Sequence, residues 1–344
     1  MNKNFKKYML WALAVLGLAG VVLAIYLYRT ILKPNVNKST ELYIKTGTDF
    51  NELNTQLYKD SILINPKSFI LTAKLKRFNS GVKPGRYILD RKMNNNDLIN
   101  RIRSGNQDPV SVTFNNIRTL NELAGKISKQ IEADSVSILS YLENEDNISE
   151  KGFTKKTVLT AFMPDSYEMY WNTSAEEFFD RMTKEYSSFW TDKRKAKADS
   201  IGLSLKEISV LASIVQAEQS KYNDEKPTIA GLYINRLKKN IALQSDPTLI
   251  YATGDFSKKR VLIKDKEIDS PYNTYMYRGL PPGPINLPEK SSVKAVLNYK
   301  KHNYYYMCAK EDFSGYHYFS NSLSKHEYYA RKYRVALNKR KIYK

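Results

Sequence analysis

Cysteine and histidine are almost absent from this 344-residue chain, which holds one cysteine, Cys308, and three histidines. A lone thiol cannot close an internal disulfide, so stability must come from packing, and redox chemistry by a thiol pair is excluded. His302, His317 and His326 show no ligand spacing, and no metal or cofactor is expected. Acidic residues are scarce too: 35 against 55 basic ones leave a formal charge of +20. That excess suits nucleic acid, anionic lipid or an acidic polymer. The basic residues are spread along the chain and no nucleic-acid motif accompanies them, so nucleic acid is not an expected partner. Internal repeats and low-complexity tracts are also missing.

What is present first is a run without charge, Met9 to Tyr28. At ~1.5 Å per residue it spans roughly 30 Å, the hydrocarbon thickness of a bilayer. A cleaved signal peptide would have an apolar core of only ~7–15 residues and a small-x-small site. Here the run ends in Tyr26, Leu27, Tyr28 and Arg29, which suits an uncleaved anchor at an interface. Lys3, Lys6 and Lys7 place the N-terminus in the cytoplasm, although Arg29, Lys33 and Lys38 on the other flank oppose that vote.

The roughly 315 residues that follow suffice for two or three domains with their own cores. Strand and helix patterns alternate irregularly, which predicts an α+β chain. Residues 1–8 read as a cytoplasmic tail, 9–28 as a transmembrane helix, 29–40 as a polar linker and 41–106 as a small α/β domain. Residues 107–159 read as a connector, and 160–344 as a larger α+β domain. In the small domain, Leu42–Ile44 and Val82–Leu89 are strand-like, Asp49–Ser61 and Pro66–Leu75 are helical, and Asn94 or Asn95 caps a helix that ends at Gly105. Val110–Phe114 is a strand, followed by helices at Thr119–Ile131 and Ser135–Leu142. Met163–Tyr167 is turn-like, and capping boxes at Ser174/Glu177 and Ser204/Glu207 open two further helices.

The second of these boxes starts Leu205–Ser220, on which Ile208, Leu211, Ala212, Ile214 and Val215 share one face and Glu218 falls at its edge. A carboxyl in an apolar wall loses hydration, its pKa rises, and it becomes a usable general acid. Helical geometry alone leaves the other reading open, a Glu ending its helix in solvent. Gln219 lies on the same arc and could position a hydroxyl. Gln244, Asp246 and Asn273 sit in turn-forming surroundings, where they either hydrogen-bond a sugar or cap a turn. Gly279–Pro288, with four prolines and two glycines, is a rigid loop that either walls a cleft or connects elements. The tyrosine-rich segments Tyr304–Met307 and Tyr316–Phe319 read as strands whose rings stack on sugars or fill the core.

Several motifs then stand in order: Met163-Pro164-Asp165-Ser166-Tyr167, Leu211 to Glu218, Ile234-Asn235-Arg236-Leu237, and Leu243-Gln244-Ser245-Asp246-Pro247-Thr248-Leu249-Ile250-Tyr251. Tyr272-Asn273-Thr274-Tyr275, Gly279 to Ile285 and Gly315-Tyr316-His317-Tyr318-Phe319-Ser320 follow. The series resembles the endolytic murein transglycosylase family, the YceG-like proteins. The resemblance runs from Thr160 to about Tyr328 and, more loosely, over the anchor and the small domain, which in that family is LysM-like. It implies that Glu218 is the catalytic acid and that Gln244, Asp246, Tyr251, Asn273, Tyr275, Asp165, Tyr167 and His317 contact substrate. The family often has Glu-x-Glu where this chain has Gln216-Ala217-Glu218, and the retained glutamate is the one usually assigned.

By the same resemblance the expected activity is cleavage of the MurNAc–GlcNAc bond of peptidoglycan glycan strands, leaving 1,6-anhydro ends. The expected role is in cell wall assembly, including termination of nascent strands. Expected partners are those strands, the bilayer of the cytoplasmic membrane and peptidoglycan synthases, with the catalytic domain outside the cytoplasm. A hydrolytic muramidase and a non-catalytic wall-binding scaffold are the alternatives.

Overall fold

The computed structural model describes residues 3–258 and 261–340; residues 1–2 of the expected tail, and 259–260 and 341–344 of the expected larger domain, lie outside the described residues. The chain is mixed α+β and divides into two compact units. One is Met1–Val112 with Gln130–Glu132 and Glu168–Thr173; the other is Thr113–Lys129, Ala133–Tyr167 and Ser174–Lys344.

The first unit opens with α1 (Lys3–Ile31). Among the described residues it is the one helix long and apolar enough to cross a membrane, and none of its apolar stretch is buried. There follow β1 (Thr40–Ile44), α2 (Phe50–Lys59), α3 (Pro66–Leu75), β2 (Gly85–Leu89), α4 (Asn95–Ser104) and the start of β3 (Val110–Phe114). β1 and β2 pair antiparallel, Thr40 opposite Leu89 and Ile44 opposite Gly85. The two-residue period turns Leu42, Ile44, Tyr87 and Leu89 to one face, buried with Leu53, Leu57, Phe69 and Leu98. Asp49 and Glu52 form a reciprocal capping box on α2, Asn65 caps α3 just ahead of Pro66, and Asn94 caps α4, which ends on left-handed Gly105.

Two expectations are corrected in this unit. The second strand starts at Gly85, not Val82; Gly85 has φ 137° and a Cβ there would strike the Gln107 side chain, so only glycine fits. Residues 34–37 do not run free. Val36 is buried and bridges Leu63, and the buried Asn35 amide bonds Asn95 Oδ1 and the Asn65 backbone. A buried apolar side chain and a satisfied amide outweigh the polar look of the stretch.

The second unit adds α5 (Leu120–Ile127), α6 (Ser135–Glu143), α7 (Glu145–Ser149), β4 (Asp165–Met169), α8 (Ala175–Phe189), α9 (Asp192–Ile201), α10 (Leu205–Glu218) and α11 (Lys226–Lys238). After these come α12 (Asp246–Thr253), α13 (Lys290–Leu297), β5 (Tyr306–Ala309), β6 (His317–Ser320) and α14 (Leu323–Lys339). The helix expected to reach Ile131 stops at Ile127. Met163–Tyr167, expected as a turn, runs into strand β4. β5 and β6 pair antiparallel, Tyr306 opposite Ser320 and Ala309 opposite His317.

At the centre of this unit lies α10, opened by the Ser204–Glu207 capping box as the sequence predicts. It is buried on every side from Ile208 to Val215 rather than along one face. Ser209 and Ser213 survive that burial because their hydroxyls bond the Leu205 and Val210 carbonyls. The proline-rich loop packs on the same helix: the Ile285 amide donates to Ser213 Oγ and the Asn286 side chain to the Ser213 carbonyl. The helix stops at Glu218 and so delivers that side chain beyond the packed core.

Candidate active site

Glu218 is the last residue of α10, and its carboxyl lines a cavity of about 510 Å³ with Tyr233, Arg236, Gln244, Asp246, Tyr275 and His317. Two hydroxyls converge on one of its oxygens. Tyr233 Oη, from α11, donates to Oε1 at 2.7 Å, and Ser245 Oγ, just before α12, donates to the same atom at 2.6 Å. Desolvation raises the Glu218 pKa above the ordinary carboxylate range, and it prevails over the two hydroxyls, which favour the charged form; Asp246 adds to the rise and His317 opposes it. The negative end of α10 acts in the same direction as burial. Burial and the Glu218 charge push the Tyr233 phenol well above its usual range, so it is held as a donor.

The loop that carries Ser245 is fixed by a buried cation. Arg236 Nη1 donates to the Ala242 and Leu243 carbonyls at 2.8 and 3.1 Å and to Gln244 Oε1 at 3.2 Å, while Nε donates to the Tyr305 carbonyl at 2.6 Å. Gln244 is held at φ 51°, a left-handed conformation that costs a non-glycine residue about 1 kcal/mol or more. Next to it, Asp246 accepts a 2.6 Å hydrogen bond from the Tyr275 hydroxyl. Tyr275 is therefore driven upward by burial and by Asp246, and stays protonated.

Of the residues expected to contact substrate, the structure gathers Gln244, Asp246, Tyr275 and His317 around the same cavity as Glu218. Tyr251 lines a second cavity of about 520 Å³, which also takes in Gln216, Ala217, Ile285 and Asn286. That is where the proline-rich loop lies, so it does not wall the Glu218 cleft. Three expected residues lie in neither cavity. Asn273 is buried and holds a turn, donating to the Lys266 and Ile268 carbonyls and accepting from the Tyr275 and Met276 amides. Tyr167 is buried on Phe114 with its hydroxyl on the Met163 carbonyl, and Asp165 pairs with Lys290 at 2.5 Å on the surface.

Gln219 is buried and serves the chain itself, its amide bonding Glu225, the Gly315 carbonyl and the Lys221 and Tyr222 amides. Gln216 likewise faces away from the cleft. Its Oε1 accepts from the Glu289 amide and Ser292 Oγ, and its Nε2 reaches the Leu287 carbonyl. Sequence reasoning missed Tyr233, Ser245, Arg236 and Glu225. Ser245 and Arg236 lie inside motifs already singled out and Tyr233 immediately before one, but pattern alone assigns them no partner.

The model of the YceG-like family matches residues 42–332. An endolytic murein transglycosylase of Bacillus subtilis is 30% identical over 335 residues, covering 92% of this chain and 91% of that protein. One of Streptococcus pneumoniae is 26% identical, covering 92% of this chain and 62% of the longer relative. The crystal structure of a YceG-like protein from Listeria monocytogenes superposes with a TM-score of 0.57 at 26% identity, over 85% of this chain and 98% of that one.

Proposed function

The chain belongs to the YceG-like family, and from that premise we propose that it is an endolytic lytic transglycosylase that cuts peptidoglycan glycan strands with Glu218 as its acid. The observation that carries this is the state of Glu218: a desolvated carboxyl at a helix end, facing a polar cleft, with two hydroxyls on one oxygen.

Desolvation favours the protonated carboxyl, which gives its proton to the glycosidic oxygen between MurNAc and GlcNAc. As the C1–O bond breaks, Glu218 becomes a carboxylate, and the Tyr233 and Ser245 hydroxyls stabilise the charge as it forms. The carboxylate then takes the proton of the C6 hydroxyl while O6 bonds C1 of the same sugar. The product is a 1,6-anhydro end, no water is consumed, and Glu218 returns to its starting state. An ordinary glycosidase requires a second carboxylate for water or for covalent attack. Asp246 shares the cavity and is the observation that favours the hydrolytic reading, but its Oδ1 is engaged by Tyr275.

In this reading α1 crosses the cytoplasmic membrane once, with its N-terminus in the cytoplasm and the catalytic unit outside. The small domain is read as LysM-like, holding glycan; its β1-α2-α3-β2 order around one antiparallel pair supports this. Activity close to the membrane fits a role in ending nascent strands, with synthases as neighbours. The test is digestion of purified strands by the detergent-solubilised chain and by Glu218→Gln. Anhydro ends from the parent and none from the variant are expected; reducing ends would make the protein a hydrolase, and equal cutting by the variant would remove Glu218 from the mechanism.

A further inference from the structure

Beside Glu218 the cleft holds a second prepared group. His317, at the start of β6, has its Nδ1 2.8 Å from Glu225 Oε2, and its own backbone amide donates to Glu225 Oε1 at 2.8 Å. Glu225 is 6% exposed and immediately precedes α11, whose positive end favours an anion. Burial alone would raise its pKa, but the bonds from His317 and the 2.6 Å bond from Gln219 Nε2 outweigh burial and hold it below the usual range. An anionic Glu225 can only accept, so Nδ1 of His317 must carry a proton. In the neutral imidazole this leaves Nε2 as an acceptor. Among the described residues Nε2 has no partner, and the ring lines the cavity that holds Glu218.

Several other polar groups of that cavity are engaged within the chain: Tyr275 with Asp246, Arg236 with backbone carbonyls, Tyr233 with Glu218. A glycan strand brings hydroxyl donors to this wall, and a fixed acceptor suits them. We infer that Glu225 and His317 act as one unit, in which Glu225 is a positioning residue that fixes the tautomer and His317 Nε2 accepts a hydrogen bond from a sugar hydroxyl of the bound strand. The inference rests on the reading of the cleft as a glycan site, which Glu218→Gln tests separately.

The experiment uses the full chain in detergent micelles and purified glycan strands. Cutting that survives Glu218→Gln would sink the acid assignment without touching the His317 unit. With Glu218-dependent cutting in hand, His317→Gln and Glu225→Gln are each expected to lower kcat/KM by about 10- to 100-fold, the loss when a polar group is left without its partner. The double variant should lose no more than His317→Gln alone, because the pair works as a unit.

Nitrogen NMR of labelled histidine at about pH 8, where an ordinary imidazole is neutral, reads the tautomer directly. The His317 signal, identified by its loss in His317→Gln, should report the proton on Nδ1 in the parent and shift toward Nε2 in Glu225→Gln. His302 is the control: its Nε2 faces the Thr228 carbonyl at 2.9 Å and its Nδ1 accepts the Tyr304 amide, so it carries the opposite tautomer in every variant. Parent-like cutting by His317→Gln, additive losses in the double variant, or an unmoved tautomer in Glu225→Gln would each overturn the inference.

Discussion

Replacing Tyr233 with Phe removes one of the two hydroxyls on Glu218 Oε1 and leaves the ring in its buried place. The phenol donates at 2.7 Å and Ser245 at 2.6 Å. A hydrogen bond to a charged group contributes about 1.5–3 kcal/mol, and here it acts on the ionised form, present only after the proton has left. If the transition state already carries most of that charge, its loss slows cutting by about 10- to 150-fold. The sign of the pH effect is fixed by the same bond. With Glu218 as the acid, as proposed, activity should fail on the alkaline side as it ionises; a donor to the carboxylate eases ionisation, and removing it moves the alkaline limb to higher pH. Ser245→Ala should move the limb the same way, and the two together should move it further. The assay is release of anhydro-ended fragments across the pH range, with circular dichroism to check folding. A limb that stays in place in both variants, or moves to lower pH, would refute the assignment of Glu218 as a desolvated acid held by these hydroxyls.

Further outcomes follow from neighbouring contacts. Glu218→Gln should stabilise the fold at neutral pH: the folded pKa lies above the ordinary 4.5, so this group's contribution is fully present below about that pH and is lost as pH rises through the folded value. A thermal melt should therefore show a gain for the variant that shrinks toward pH 4. Asn273→Ala removes four hydrogen bonds of one buried turn and should cost about 2–4 kcal/mol in a urea titration. Asp165→Asn breaks a half-exposed pair with Lys290 and should cost about 0–1 kcal/mol, with KM unchanged because neither residue lines the cleft. Gln216→Glu should leave turnover close to the parent's, since the side chain faces Glu289 and Ser292; Ser292 in turn accepts from buried Lys226, so the new carboxylate gains a cation nearby while the Leu287 carbonyl loses a donor worth about 1 kcal/mol.

Local rules were legible where a single segment contains its own cause. Capping boxes at Ser204 and Ser174, the Asn94 and Gly105 ends of α4, and the alternation that makes β1 and β3 all depend on residues within a few positions of each other. The membrane-length helix belongs with them, being a matter of rise per residue. Expectations failed where a distant partner decides. Asn35 and Val36 look like linker until Asn95 and Leu63 take them inward, and Asp165 and Tyr167 look like substrate contacts until Lys290 and Phe114 claim them. In the candidate site, helix and motif single out Glu218, and the structure places it in the cavity. Its partners Tyr233 and Ser245 lie 15 and 27 positions away, and no periodicity joins them.

In the proposed mechanism one carboxyl serves twice, and the arrangement around Glu218 suits that. A fully apolar wall would keep it protonated but would make the carboxylate too costly to form, and a solvated wall would ionise it before substrate arrives. Desolvation and the end of α10 supply the first tendency and the two hydroxyls the second; both hydroxyls bond Oε1, and in the proposed mechanism Oε2 exchanges the proton with substrate. The balance holds only if Ser245 stays within bonding distance, which depends on the loop before α12. Arg236 secures that loop by donating to two carbonyls and the Gln244 amide oxygen from inside the core, and burial lowers its pKa despite the opposing pull of Glu218 and nearby tyrosines. A lysine there would present one point charge in place of the fork and could not span the Tyr305 and Leu243 carbonyls together. Arg236→Lys should therefore reduce kcat through Ser245 while Glu218 itself is untouched, and the same variant combined with Ser245→Ala should lose little more than Ser245→Ala alone.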